Sequence, residues 1–172
     1  MKKPIIDYMH RNPNDKFYTP EIAIRPLVKY IPDNIKTIYE CNDNGNSNIT
    51  KLLVKYGYNV VSTHIETGFD FLRDDPYFEY DCIITNPPYS IKDDFLERCY
   101  ILGKPFALLM PLTALEGKRR NELYRKYGIS VIILDSRINF MDNKKSPCFT
   151  MAWFVWCFDD GNRLYFENVL VY

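Results

Sequence analysis

A chain of 172 residues that is 47% hydrophobic and 16% aromatic, with 14 Tyr and 11 Phe, can fill one packed core; this excludes extensive disorder and a second full domain. Lys plus Arg and Asp plus Glu balance at 22 each, which excludes a global basic field, so any nucleic-acid binding must rest on local patches. No apolar stretch approaches the ~18 residues of a membrane span, no signal-type region follows Met1-Lys2-Lys3-Pro4, and the five cysteines lack C-x-x-C spacing; the expectation is a reduced, cytoplasmic protein with no membrane contact and no metal.

Residues 1–20 are polar and end in Phe17-Tyr18-Thr19-Pro20. Thr19 before Pro20-Glu21 predicts an N-cap and a proline in the first helical position, with Ile22, Leu27, Val28 and Ile31 on the inner face and Pro26 shortening or kinking the helix. Residues 36–40 predict a strand that runs into the polar loop 41–48, whose only glycine is Gly45. A helix from Ile49 or Thr50 to about Tyr56 follows, stopped by Gly57, and residues 58–63 predict a second strand ahead of His64 and Asp70-Phe71-Leu72. Strand, polar loop and helix in that order form the nucleotide-binding arrangement of Rossmann-like folds.

Asp81 to Ser90 is the most informative stretch. Cys82, Ile83 and Ile84 form a buried strand that must end at Asn86, because neither Pro87 nor Pro88 has an N–H to offer a sheet ladder. The prolines hold the Asn86 side chain and the local carbonyls stiffly outside the carboxyl end of the strand, where open α/β sheets place ligands. Tyr89 adds an aromatic ring immediately after the prolines.

Residues 93–102 have helical spacing and stop at Gly103, and the apolar run 105–111 predicts a central strand. A helix over 115–127 carries Lys118, Arg119 and Arg120 near its start; such a cluster either tracks a phosphate backbone or forms a solvated helix face. Strand 129–134, the polar loop Met141–Pro147 with Lys144 and Lys145, and a long aromatic strand over 148–158 follow. After a turn at 159–162, residues 164–166 and 169–171 suggest a terminal strand or hairpin.

Asn86-Pro87-Pro88-Tyr89 after an apolar strand resembles the catalytic motif of the S-adenosylmethionine-dependent amino-methyltransferases that methylate the exocyclic amine of adenine in DNA, here as a small, phage-type member. The resemblance extends from Phe17 to about Phe158. It implies a three-layer α/β, Rossmann-like fold, with a mostly parallel sheet and an antiparallel strand near one edge. It also implies S-adenosylmethionine as cofactor, lined by Phe17, Tyr18, Thr19, Glu40, Gly45, His64, Asp70 and Phe71, and Phe149 beside a flipped base. Asn86 and Pro87 would supply acceptors that draw on both hydrogens of an aryl amine, a poor nucleophile because its lone pair is delocalised. Two positions depart from the pattern: the loop has one glycine where two or more are expected, and His64 stands where a carboxylate usually meets the ribose.

These residues lead to the expectation of one methyltransferase-like domain over residues 1–172, without a separate target-recognition domain, acting on adenine in nucleic acid, DNA ahead of RNA. Recognition would then fall to short loops such as Met141–Pro147 or to a protein partner. Two alternatives stay open at this point. One is a catalytically silent relative that binds nucleic acid or protein; the other is a methyltransferase of protein glutamine amides, which uses the same turn.

Overall fold

The structure, a computed structural model, describes residues 19–136, 138 and 150–171. A single seven-stranded sheet has the order β2-β1-β3-β4-β6-β5-β7. Its strands are β1 Thr37–Glu40, β2 Asn59–Ser62, β3 Cys82–Thr85, β4 Phe106–Pro111, β5 Ser130–Leu134, β6 Met151–Trp156 and β7 Leu164–Glu167. All run parallel except β6, which lies antiparallel between β4 and β5.

Alternation along the strands divides the core. Tyr39, Ile83, Phe106, Leu108 and Met110 face one side of the sheet, and Ile38, Cys82, Ile84, Ala107 and Leu109 face the other. Helices α1 (Glu21–Val28) and α2 (Asn48–Lys55) cover the second side with Ala23, Ile24, Leu27, Leu52 and Leu53. Helix α3 (Lys92–Leu102) covers the first with Phe95, Leu96 and Cys99, flanked by α4 (Lys118–Tyr127), which lays Leu123 and Tyr124 against it. The result is the expected three-layer, Rossmann-like architecture. Each fully buried side chain of this size contributes roughly 1.5–3 kcal/mol of apolar burial.

Several local expectations shift. Helix α1 begins at Glu21 with Pro20 as its N-cap and no side-chain cap; the first-turn bond runs from Ala23 N to Pro20 O, so Thr19 is not the cap. That phase buries Ala23, Ile24 and Leu27 and leaves Ile22 37% exposed. Helix α4 starts at Lys118, because residues 112–115 form a 3-10 turn and Gly117, at φ +98°, breaks the path between them. Of the terminal strand or hairpin expected, the strand forms, as β7, and the hairpin does not. Both edges of β6 are already taken, by β4 and β5, so β7 pairs in parallel with the outer edge of β5, and Val169–Val171 is a 3-10 turn.

Candidate functional site

The chain leaves β1 toward β2 on one side and leaves β3 toward β4 on the other, so the strand order reverses between β1 and β3. In open α/β sheets this switch point opens a crevice at the carboxyl ends of the strands. Here it brings together Glu40, which ends β1, and Thr85-Asn86, where β3 stops.

Glu40 is 2% exposed, and its Oε1 accepts the Asn42 backbone N–H at 3.1 Å. Burial pushes its carboxyl up to about 8, with the nearby Asp43 adding to the rise. Thr85, fully buried, turns its hydroxyl toward Glu40 and the Cys41 thiol but makes no well-formed hydrogen bond among the described residues. A buried acid held toward its neutral form beside an unsatisfied hydroxyl suits an incoming donor or cation.

The loop after β1 is built around Asp43, itself buried. Its Oδ1 accepts the N–H groups of Asn46 (3.1 Å) and Ser47 (2.9 Å). Its Oδ2 accepts the Thr50 hydroxyl at 2.5 Å and the Ser62 hydroxyl at 3.4 Å, and its own N–H donates to Thr63 O at 3.0 Å. The acid therefore ties the loop to the start of α2 and to the end of β2. Ser47 caps α2 by accepting Thr50 N. The loop's lone glycine is still required as glycine, because Gly45 has φ +90°, a conformation costly for other residues. An added Cβ there meets nothing within 4 Å, so its role is the bend and not a close approach.

Two asparagines carry the loop outward. Asn48 Nδ2 donates to Thr19 O at 2.9 Å, and Asn42 Nδ2 donates to Asn86 O at 3.3 Å. The loop is thus bonded to the segment before α1 and to the turn after β3.

In that turn Pro87 and Pro88 are buried, and so is Asn86 Oδ1. Tyr89 opens a 3-10 turn, directs its hydroxyl to Met151 Sδ at 3.7 Å, and accepts Lys92 Nζ at its carbonyl at 3.1 Å.

On the β2 side, His64 is buried and caps a 3-10 turn. Its Nδ1 accepts Glu66 N at 3.2 Å, and Thr67 Oγ1 bonds the His64 backbone. The same Nδ1 lies 3.5 Å from Glu66 Oε2, so this nitrogen is engaged within its own turn, and a single imidazole cannot reproduce the bidentate acceptance of a carboxylate. Asp70 Oδ1 accepts Leu72 N at 3.0 Å and closes a turn. Phe71, 1% exposed, lies in the core, 4.9 Å from Phe95 and 6.0 Å from Tyr39 between ring centroids; packing accounts for it.

The basic cluster has other employment. Arg119 bonds Asp94 at 2.7 Å and Glu97 at 2.5 Å, and Arg120 bonds Asp93 at 2.6 Å and Ala114 O at 2.8 Å. Both therefore tie α4 to α3, and Lys118 alone of the three keeps no ion pair among the described residues. Phe17, Tyr18, Phe149 and the loop Met141–Pro147 lie outside the described residues. Among the described residues, no group of three or more His, Cys, Asp or Glu is placed to hold a metal ion.

Sequence reasoning missed Asn42, Asp43 and Thr85. For Asp43 a local signal existed: an Asp three and four residues ahead of Asn46 and Ser47 is an Asx-type turn former.

No family model and no curated protein matches this sequence. Among solved structures, the chain is similar to the methyltransferase subunit of a type I restriction-modification system from Streptococcus thermophilus, at 18% identity and a TM-score of 0.50, over 88% of this chain and 47% of that one. A protein assigned as a modification subunit of a type I restriction enzyme from Vibrio vulnificus aligns at 11% identity and a TM-score of 0.53, over 95% and 50%. A protein assigned as a class I S-adenosylmethionine-dependent methyltransferase from Listeria monocytogenes aligns at 13% and 0.54, over 87% and 65%. This chain spans about half the length of the first two. What it shares with all three is the fold: a Rossmann-like, mostly parallel sheet of the kind found in methyltransferases.

Proposed function

We propose that this chain binds S-adenosylmethionine and transfers its methyl group to the exocyclic amine of adenine in nucleic acid, with DNA as the substrate. The observation that carries the reading is the position of Asn86-Pro87-Pro88-Tyr89 at the switch point of the sheet, beside the buried Glu40. The likeness in fold to proteins of restriction-modification systems supports it.

The chemistry of the residues at the switch point is compatible with the cofactor. Glu40 and the Thr85 hydroxyl would meet its ammonium end, and the Asp43-anchored loop and Asp70 would hold the rest, as the resemblance implies. When bound, S-adenosylmethionine supplies an electrophilic methyl on a sulfonium. The chain's task is to present the amine. Asn86 Oδ1, buried as it stands, would have to turn outward and, with the Pro87 carbonyl, would accept the two N–H bonds of the amine and draw density onto nitrogen as the N–C bond forms and the S–C bond breaks; the methylated amine would then lose a proton to solvent. Tyr89 would have to leave Met151 to stack on the base, or pack against its edge where it stands.

A second reading, a relative that keeps the fold without transfer, is favoured by one observation: His64 uses its acceptor nitrogen to cap its own turn. Labelled S-adenosylmethionine offered with single- and double-stranded DNA, RNA and bulk protein separates the two. Label in adenine supports the first reading; cofactor binding without transfer to any acceptor supports the second; label in protein moves the substrate to an amide.

A further inference from the structure

Asn42 occupies a position that the amine chemistry alone does not explain. Its backbone N–H holds the Glu40 carboxyl at 3.1 Å, and its side-chain Nδ2 holds the Asn86 carbonyl at 3.3 Å. One residue thus touches the acid at the end of β1 and the peptide that starts the turn after β3. That peptide and the next are unusual in lacking a donor, since Pro87 and Pro88 have no N–H. Across those two peptides a hydrogen bond can hold the backbone only at a carbonyl, and the Asn42 amide grips the first of them.

The consequence is geometric. Fixing the Asn86 carbonyl fixes ψ of Asn86, which the following proline already restricts to extended backbone. It therefore holds the peptide plane that joins Asn86 to Pro87, the backbone frame from which the Asn86 side chain and, one residue on, the Pro87 carbonyl project. The opposite end of the same loop is bonded by Asn48 to Thr19 O, and Asp43 makes the loop between them stiff. A bond of 3.3 Å has room to tighten when a site fills.

We propose that Asn42 is a positioning residue that couples the cofactor loop to the amine-accepting turn, so that filling the loop sets the aim of Asn86 and Pro87. The assignment rests on the methyl-transfer reading for its consequence, but its structural half stands apart and can be measured apart.

Two readouts on the full chain test it. The first is kinetic: Asn42→Ala lowers kcat for methyl transfer by about ten- to a hundredfold, as expected for a misaimed acceptor, while the Kd for S-adenosylhomocysteine stays within about threefold. Asn42→Gln, which keeps the carboxamide, recovers part of the loss. The second needs no activity. The sequence has two Asn-Pro pairs, Asn12-Pro13 and Asn86-Pro87, so 13C-carbonyl Asn with 15N-Pro labelling yields two coupled carbonyl signals, one of which serves as reference. In Asn42→Ala the Asn86 signal moves and the Asn12 signal stays; saturation with S-adenosylhomocysteine shifts the Asn86 signal in the wild type but not in the variant. An Asn86 signal indifferent to Asn42→Ala in a folded variant overturns the proposal, and so does an unchanged kcat. A wild type that transfers no methyl sinks the functional reading alone, and the carbonyl signal then decides the role of Asn42 by itself.

Discussion

Asp43 Oδ2 accepts the Thr50 hydroxyl at 2.5 Å, across the loop that joins β1 to α2. Glycine-rich loops reach a cofactor by omitting side chains; this one is shaped by a buried carboxylate that gathers the N–H groups of Asn46 and Ser47. Asp43→Ala should destabilise the protein by about 2–4 kcal/mol, since it strands several buried donors at once. Asp43→Asn should cost less, because one amide oxygen can still accept. Urea denaturation of the three proteins measures the ranking, and equal midpoints would contradict it.

The raised Glu40 carboxyl gives stability a definite pH dependence. Its folded value of about 8 lies above the ordinary 4.5, so between these values the native state holds a proton that the unfolded chain has released. The Glu40 contribution is therefore fully present below pH 4.5 and is lost as pH rises toward 8, with a slope of up to about 1.4 kcal/mol per pH unit. Glu40→Gln should flatten that slope in urea melts at pH 5 and 8. A ligand bearing an ammonium should also release a proton on binding at pH 7, seen as a dependence of the calorimetric heat on buffer ionisation.

The contact between α3 and α4 predicts what the arginines do. Arg120 is largely buried and bonds both Asp93 and Ala114 O, so Arg120→Ala should cost about 1–3 kcal/mol. Arg119 is 45% exposed and its pairs are screened, so its loss should cost no more than about 1 kcal/mol. Gly117→Ala should also destabilise: at φ +98° its Cβ would stand 2.7 Å from Arg120 Nη2, which must move. If DNA binds, Arg119→Ala should leave its salt dependence unchanged, because that charge already serves Asp94 and Glu97.

What could be read from the sequence depended on whether a residue's partners are local. The strands Cys82–Thr85 and Phe106–Pro111 announced themselves as apolar runs closed by proline, and the turn at Asn86 followed from covalent geometry alone. Partners supplied by distant segments stayed hidden. Asp43 finishes its bonding with Ser62 and Thr63 on β2, Arg120 with Asp93 on α3, and β7 with an outer edge left open only because β6 inserts between β4 and β5. His64 lies two residues beyond the end of β2, and its cap of the turn at Ile65–Thr67 is a matter of rotamer and ring nitrogen, on which a sequence is silent.

The central claim is that the turn at Asn86 accepts an adenine amine. Its most direct test is mass spectrometry of nucleosides from DNA incubated with S-adenosylmethionine and either the wild type or Asn86→Ala. The account predicts N6-methyladenine from the wild type and a loss of at least about a hundredfold in the variant, with cofactor affinity retained. Methylated adenine at undiminished yield from Asn86→Ala, or none from a wild type that binds the cofactor, would contradict it.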